Sequence, residues 1–256
     1  MGKTRYLVTG GAGFIGSNLA AALARAGEPV RAYDDLSTGR WALLDRALAG
    51  GSGAAVERVT ADMRDREALA RAMAGVEVVF HQAADGSVPR SVDEPLRVDG
   101  VNVHGTVAVL EAARHAGVRR VLFAASSAAY GDDPALPKRE DMPPAPLSPY
   151  AVSKLAGEMY LRVFASLYGL ETLSLRYFNV FGPGQLPDGA YAAAIPRLAQ
   201  AALAGLAPTV YGDGEQTRDF CFIDNVVAAN LLAAHSPHRF AGEVVNIAGG
   251  RVVSLN

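Results

Sequence analysis

Cysteine is almost absent: Cys221 is the single one among 256 residues. No internal disulfide can form, and a reducing, cytoplasmic setting is expected. Charge excess is lacking too. Lys plus Arg (24) nearly balance Asp plus Glu (26), a formal −2, so neither a nucleic acid nor an anionic membrane is an expected partner. Any anionic ligand must be held locally, by placed backbone amides and single arginines. No apolar run approaches the ~20 residues that span a bilayer. The start, Met1-Gly2-Lys3-Thr4-Arg5, enters a strand pattern without the apolar core of a secretory signal. Apolar residues, by contrast, make up 50% of the chain, enough to fill the core of one domain, or of one with a small appendage.

Short β-branched or apolar runs alternate with Ala/Leu-rich amphipathic stretches. The runs predict strands at Tyr6–Thr9, Val30–Tyr33, Val56–Thr60, Val78–Phe80, Arg120–Ala125, Thr172–Arg176 and Val244–Ile247. The stretches predict helices at Phe14–Ala26, Arg64–Met73, Val101–Ala116, Pro149–Leu167 and Asp224–Ala234. Apolar strands alternating with helices imply an α/β fold, a Rossmann-like doubly wound parallel sheet covered on both faces. Beyond about residue 176 the pattern changes to Gly/Pro-rich loops with a helix near Ile195–Ala204. The expected division is therefore 1–176 as a dinucleotide-binding domain and 177–256 as a smaller substrate-binding lobe, with 244–247 returning to the sheet. Pro134–Pro149 reads as a proline-punctuated surface excursion.

Thr9-Gly10-Gly11-Ala12-Gly13-Phe14-Ile15-Gly16 follows the first strand and opens the first helix. Glycines there permit a tight turn, let backbone approach a pyrophosphate and let helix pack on strand. The helix N-terminus then offers free amides to that pyrophosphate. Eighteen residues past Gly16, Asp34 ends the next strand, where a carboxylate can bond ribose hydroxyls and repel a 2′-phosphate. That combination predicts NAD rather than NADP, although Arg40 is near enough in sequence to blunt the repulsion and Asp34-Asp35 would also cap a turn. Asp62, after the third strand, can accept from an adenine amino group or cap the next helix.

Tyr150-Ala-Val-Ser-Lys154 sets a phenol and an ammonium one helical turn apart on one face. Such pairs are common on solvated helices. Here the pair accompanies the glycine loop, and Ser126-Ser127 follow the apolar run Val121–Ala125, in the order a hydride-transfer site requires. A phenol with a pKa of about 10 is a poor base at neutral pH. The expectation is that Lys154 draws it down toward the working range.

These stretches, together with Asp34-Asp35-Leu36-Ser37-Thr38-Gly39, resemble the extended short-chain dehydrogenase/reductases acting on nucleotide sugars. His81-Gln82-Ala83-Ala84, Gly86-Ser87-Val88-Pro89-Arg90-Ser91, Pro146-Leu147-Ser148-Pro149-Tyr150 and Leu175-Arg176-Tyr177-Phe178-Asn179-Val180-Phe181-Gly182 narrow the resemblance. So do Gly189-Ala190-Tyr191-Ala192-Ala193 and Arg218-Asp219-Phe220-Cys221-Phe222-Ile223-Asp224. Together they are most similar to UDP-sugar 4-epimerases, and within these to the branch using N-acetylated UDP-hexosamines. The resemblance implies Tyr150 as the base at the sugar 4-hydroxyl, Lys154 as its tuner, and Ser126 with Ser127 as hydroxyl partners. It implies that NAD lies along Gly10, Gly13, Phe14, Ile15, Gly16, Asp34, Asp35, Ser37, Thr38, Gly39, Asp62, Met63, Gln82, Ala83, Ala84 and Asn102, reaching Tyr150, Lys154 and Tyr177. A UDP-sugar would meet Ser87, Val88, Ser126, Asn179, Ala193, Tyr211 and Arg218, the last touching the diphosphate.

Sugar 4,6-dehydratases and nucleotide-sugar decarboxylases of this superfamily carry acidic residues just after the catalytic Ser or Thr. Ser127 and Ala128 stand there, and alanine transfers no proton, so 4,6-dehydration is disfavoured. The resemblance further implies a homodimer through the faces of Val101–Ala116 and Pro149–Leu167, which sheet packing would also explain. Relatives generally run on for several elements past the equivalent of Gly250, so the chain reads as C-terminally short. Two other readings stay open: a UDP-glucuronate 4-epimerase or other keto-sugar enzyme with the same Tyr/Lys pair, and a non-catalytic NAD-binding regulatory protein. His235 and His238 read as a solvated loop rather than a metal site, His81 as a structural hydrogen-bonder, and Cys221 as core.

Overall fold

The structure is a computed structural model describing residues 5–49, 51, 53–186, 194–207 and 212–254. Seven strands form its central sheet: β1 (Tyr6–Thr9), β2 (Val30–Asp34), β3 (Val56–Thr60), β4 (Val78–His81), β5 (Arg120–Ser126), β6 (Glu171–Tyr177) and β10 (Ala241–Ile247). They lie in the order β10-β6-β5-β4-β1-β2-β3, and every neighbouring pair is parallel. All four residues of β1 are buried, as expected of a strand covered on both faces.

Alternate strand residues feed two cores. On one face Tyr6, Val8, Phe80, Leu122 and Leu173 meet Leu19 and Leu23 of α1 (Phe14–Arg25) and Val226 of α9 (Ile223–His235). On the other, Leu7, Val79, Val121 and Phe123 meet Leu69 and Met73 of α3 (Arg66–Met73), Val109 of α6 (Gly105–His115) and Leu161 and Phe164 of α7 (Pro149–Tyr168). Each fully buried Leu or Phe contributes about 1.5–3 kcal/mol, so the two-sided burial fixes both the strand faces and their register.

Helix α9 and β10 follow residue 177 in the chain but belong to this core. Arg120, 1% exposed at the start of β5, holds α9 in place. Its guanidinium bonds Glu171 and the carbonyls of Ala234 at 3.2 Å, Ser236 at 3.0 Å and His238 at 2.7 Å, satisfying acceptors that a helix C-terminus leaves open. Outside the sheet lie α8 (Ala194–Leu203) and two small ribbons. β7 (Val180–Phe181) pairs in parallel with β9 (Cys221–Phe222), and β8 (Thr217–Asp219) pairs antiparallel with β11 (Val252–Ser254).

Three short helices were not anticipated: α2 (Trp41–Leu48), α4 (Val88–Asp93) and α5 (Pro95–Asp99). The helix expected from Val101 starts earlier, because Pro95 opens α5 and a π-helical turn, Gly100–His104, joins it to α6. Such turns recur at functional sites; this one rotates Asn102 inward, where it is 2% exposed. The helix expected from Arg64 begins at Arg66, since Asp65 is its cap and accepts from the amides of Glu67 and Ala68. The helix-cap reading of Asp62 is therefore wrong: its carboxylate pairs with Arg64 at 2.5 Å. His235 is the last residue of α9 rather than part of a loop, and accepts from the Tyr6 hydroxyl at 3.2 Å while its Nδ1 faces the Leu231 carbonyl.

Candidate active site

Strand order reverses between β1 and β4, and ligands of open parallel sheets sit beyond the strands' carboxyl ends at such a switch point. The chain leaves β1 through Gly10, at φ 70°. A Cβ on Gly10 would lie 2.8 Å from the Ala83 amide nitrogen, and one on Gly16 would lie 2.1 Å from the Gly10 carbonyl oxygen. Only glycine allows these approaches. Gly13 caps α1 with no side-chain bond, so the first helical amides remain open to an anion. Asp34 is buried, accepting from the Ala12 amide at 3.0 Å and the Leu36 amide at 2.8 Å. Burial pushes its carboxyl up, and those two amides pull it back.

A cleft of about 470 Å³ opens there. Of the residues expected at a cofactor, Gly10, Gly13, Phe14, Ile15, Gly16, Asp34, Asp35, Ser37, Thr38, Asp62, Met63, Gln82, Ala83 and Ala84 line it. Gly39 stands behind, where a Cβ would lie 2.9 Å from Asp34 Oδ1. Asn102 does not line it. Its side chain is spent on the Asp85 amide (2.8 Å), the Asp85 carbonyl (3.1 Å) and Ser153 Oγ (2.9 Å), so it ties the loop after β4 to α7. Sequence reasoning missed Tyr33, Arg64, Asp85, Arg97 and Val101, which share the wall. Asp85 is 6% exposed and paired with Arg90 at 3.1 Å; the nearby Asp-x-x-x-x-Arg spacing was the available signal.

A second cleft, about 900 Å³, shares Ile15, Gln82, Ala84 and Gly86 with the first and is lined by Val88, Ser126, Ser127, Tyr150, Lys154, Tyr177, Asn179 and Arg218. Strand β5 brings Ser126, which caps a 3₁₀ turn (Ser127–Tyr130) by accepting from the Ala128 amide at 3.2 Å. Helix α7 brings Tyr150 and Lys154. It is capped by Ser148, has Pro149 in its first turn, and stops at Gly169 at φ 69°.

Lys154 is 4% exposed; it donates to the Ala124 carbonyl at 2.9 Å and lies 5.0 Å from the centre of the Phe123 ring. Burial lowers its ammonium to about 8. The expected drop in Tyr150 is not what the structure shows. Burial pushes the phenol up, and the Ser126 hydrogen bond, not Lys154, is what draws it back.

Behind the pair, His81 is fully buried, with Nδ1 2.7 Å from Thr9 Oγ1 and Nε2 2.9 Å from Thr106 Oγ1. Thr106 donates to the Asn102 carbonyl, so its hydroxyl accepts from Nε2–H and Nδ1 accepts from Thr9. Burial first, then Lys154, lowers His81 to about 3; it is a neutral spacer. Tyr177, Gln82 and Asn230 close a buried ring of bonds: Tyr177 donates to Gln82 Oε1 at 3.2 Å and accepts from Asn230 at 2.8 Å, while Gln82 donates to Asn230 at 3.4 Å. Asn230 carried no motif and was missed.

Asn179 and Arg218 also line a third recess of about 360 Å³ with Phe181 and Phe220, so the three clefts run on from one another. Ser87 lines none of these three. Its hydroxyl caps α4, accepting from the Arg90 amide at 3.2 Å. The expected substrate residues Ala193 and Tyr211 lie outside the described residues.

Residues 6–248 match the NAD dependent epimerase/dehydratase family. The chain belongs to that family. It is 46% identical over 232 residues to a UDP-glucose 4-epimerase of Mycolicibacterium smegmatis, covering 90% of this chain and 72% of that protein. It is similar to the solved UDP-N-acetylglucosamine 4-epimerase of Methanobrevibacter ruminantium in complex with UDP-N-acetylmuramic acid. There the TM-score is 0.91 and the identity 38%, covering 100% of this chain and 79% of that one. The Thermotoga maritima UDP-glucose 4-epimerase with UDP-glucose gives 0.90 and 38%, covering 98% and 79%.

Proposed function

We propose that this family member is an NAD-dependent 4-epimerase of a UDP-sugar, UDP-glucose/UDP-galactose or the N-acetylated pair. The observation that carries the reading is the position of Tyr150, Lys154 and Ser126 on the cleft that joins the glycine-lined cleft to the recess of Asn179 and Arg218. Gly10 and Gly16, which tolerate no Cβ, and the uncapped N-terminus of α1 fit a dinucleotide pyrophosphate, and the Asp34 carboxylate fits unphosphorylated ribose. When bound, NAD supplies reversible oxidation at the sugar C4, leaving no net redox change once hydrogen is returned to the opposite face.

The chain's own residues handle the proton and the anion. Tyr150 takes the proton of the 4-hydroxyl and later gives it back. The Ser126 hydroxyl, which draws the phenol back from the upward push of burial, hydrogen-bonds the substrate oxygen. Lys154 provides the charge that offsets a phenolate while its ammonium, at about 8, keeps its proton. Arg218 pairs with no carboxylate among the described residues, and its Nη1 donates to the Thr217 carbonyl at 2.7 Å; it is left to meet a diphosphate. Elimination would need an acid next to Tyr150. Among the described residues, the carboxylates on this cleft are Asp132, which is exposed, and Asp219, which is spent on the amides of Gly249 (2.6 Å) and Gly250 (2.9 Å).

Residues 177–256 act in this reading as the substrate-facing part, although α9 and β10 serve the sheet. A cytoplasmic homodimer completes it. The apolar surface left for a partner is narrower than the two whole helix faces: Ala108, Val109, Leu110 and Ala113 of α6 are buried in the core, whereas Val152, Met159, Val163 and Leu167 of α7 are exposed, as are Val92 and Leu96 on the helices that pack against it. Light scattering at micromolar protein tests the dimer, and a monomer rejects it. For the activity, the protein is incubated separately with UDP-glucose, UDP-N-acetylglucosamine and UDP-glucuronate, and C4 epimers are resolved by proton NMR. Inertness toward all three overturns the reading; turnover of the uronate alone moves it to the UDP-glucuronate 4-epimerases.

A further inference from the structure

Tyr130 has no part in the proton handling above, yet three parts of the site meet at its side chain. Its ring is 1% exposed, and the Arg176 guanidinium lies 4.6 Å from the ring centre. Arg176, on β6, is gripped by both oxygens of Glu158 at 2.8 Å, each side chain being 5% exposed. Glu158 is on α7, one turn past Lys154. On its other side, Tyr130 donates to Asn246 Oδ1 at 2.7 Å. Asn246 stands opposite Arg176 in the β10–β6 register. Its remaining polar contacts go to one segment: Nδ2 to the Lys138 carbonyl at 3.1 Å, and its backbone amide to Glu140 Oε1 at 2.7 Å.

That segment belongs to the proline-punctuated excursion between the 3₁₀ turn and α7. Asp132, Leu136, Lys138, Leu147 and Ser148 of the excursion form a wall of the cleft that holds Tyr150. The excursion is pinned again where the Ala145 amide bonds the Ala129 carbonyl at 2.8 Å, and where a Cβ on Gly131 would stand 2.0 Å from the Ala145 carbonyl oxygen. A buried ion pair is a poor way to gain stability, since apolar side chains of equal volume often do as well. Arg176 even keeps a buried Nη1 without a hydrogen-bond partner. What the pair with its stacked ring does fix is geometry.

We infer that Tyr130 is a positioning residue for the sugar. Through Arg176 and Glu158 it takes its place from the helix bearing Tyr150 and Lys154, and through Asn246 it passes that place to the wall at 132–148. The phenol and the opposite wall are thus held at a fixed separation around the sugar ring. This rests on the epimerase reading.

The test is steady-state kinetics of Tyr130→Phe, Asn246→Ala and the double variant with whichever UDP-sugar the wild type turns over, alongside NAD titration and melting temperature. Phenylalanine keeps the ring on Arg176 and loses the hydroxyl, with its bond to Asn246 and its influence on the guanidinium; Asn246→Ala leaves that hydroxyl in place and reads the Asn246 link alone. The expected result for Tyr130→Phe is a KM for the UDP-sugar raised about three- to tenfold, the range of one neutral hydrogen bond, with kcat and NAD affinity within about twofold. Asn246→Ala raises KM at least as much, and the double variant is no worse than Asn246→Ala alone. An unchanged KM in Tyr130→Phe overturns the inference. So does a double variant whose effect is the product of the singles, or a loss in kcat, KM and NAD affinity that merely follows a lowered melting temperature. If Tyr130→Phe does not fold, Asn246→Ala reads the same link from its other end, and a wild-type KM there is equally fatal. A wild type inert toward every UDP-sugar removes the epimerase reading and this inference together; an active wild type with an unaltered Tyr130→Phe removes the inference alone.

Discussion

Replacing Lys154 by methionine should stabilise the cofactor-free protein at neutral pH, and the gain should vanish in alkali. The Lys154 side chain is buried, its ammonium meeting the Ala124 carbonyl and the face of Phe123. Burial lowers it from 10.5 to about 8 in the folded chain. Below about 8 the lysine is charged in both folded and unfolded states, and the folded state bears the whole desolvation cost. Between about 8 and 10.5 the folded lysine has lost its proton while the unfolded one keeps it, so the unfolded state binds more protons and stability rises with pH. The difference of those two values, converted at about 1.36 kcal/mol per unit, is about 3 kcal/mol. Loss of the Ala124 contact moves the whole profile of the variant and leaves its slope alone. The assay is urea unfolding at pH 7, 8, 9 and 10, read from Trp41, the chain's single tryptophan. The stability of Lys154→Met relative to wild type should fall by about 3 kcal/mol across and beyond that range. A gap that stays constant with pH would refute the claim that a charged Lys154 is held in a dry site.

Tyr150→Phe should lower turnover by about 10²–10⁴, the usual worth of a placed acid–base group, while NAD binding by isothermal titration stays unchanged; substantial turnover removes Tyr150 from the mechanism. Gly16→Ala places a Cβ 2.1 Å from the Gly10 carbonyl oxygen, so stability should drop by about 1–3 kcal/mol or more and NAD should bind more weakly; an unshifted melting curve with normal NAD affinity contradicts the tight loop. Asp34→Asn removes the negative charge and keeps an acceptor for only one of the two amides, Ala12 on Oδ2 or Leu36 on Oδ1, so the preference for NAD over NADP should narrow, with some loss of stability. An unaltered preference, measured by titrating both cofactors, would show that something other than Asp34 sets it.

Local signals were legible in the sequence and distant ones were not. The central strands announced themselves because a strand buried on both faces carries a run of apolar residues, Val78–Phe80 and Val121–Ala125 among them, and the edge strands β3 and β10 because β-branched residues recur in them although they are largely uncovered. Tyr6–Thr9 and Val56–Thr60 end where expected; the other five are longer by one to three residues at an end, since residues such as His81 and Ser126 continue the ladder. Glycine loop, Asp34 and the Tyr150/Lys154 pair were readable because each is set by spacing within one element. Helix α2 was overlooked although Trp41, Leu44 and Leu48 have helical spacing, for only Leu44 is buried and eight residues give little periodicity. The ribbons β7–β9 and β8–β11 are two or three residues long and have no pattern to find. Asp62 lines the first cleft as expected, whereas Asn102 and Ser87, expected at the cofactor and the sugar, spend their side chains on Asp85, Ser153 and the cap of α4; their partners were invisible, because which atom a side chain bonds is settled by the chain that folds against it. Asn230 and Asn246 show the same limit, arriving from the last fifth of the sequence to complete networks begun by Gln82 and Tyr130.

The same desolvation acts on both members of the Tyr150/Lys154 pair, in opposite directions on the scale and with one chemical meaning. The phenol is pushed up and the ammonium down, so each is driven toward its neutral form. A site that must hold a phenolate and an ammonium together therefore needs compensation that burial does not give. The fold supplies two pieces in advance: the Ser126 hydroxyl at the phenol, and the Ala124 carbonyl with the Phe123 face at the ammonium. Both come from the last four residues of one strand, β5, packed against one helix, α7. The spacing Phe123-Ala124-Ser126 along β5 and Tyr150-to-Lys154 along α7 is thus a single device. In the proposed reaction, burial would make the proton's release from Tyr150 costly, and the strand edge would lower that cost at the two atoms where charge appears.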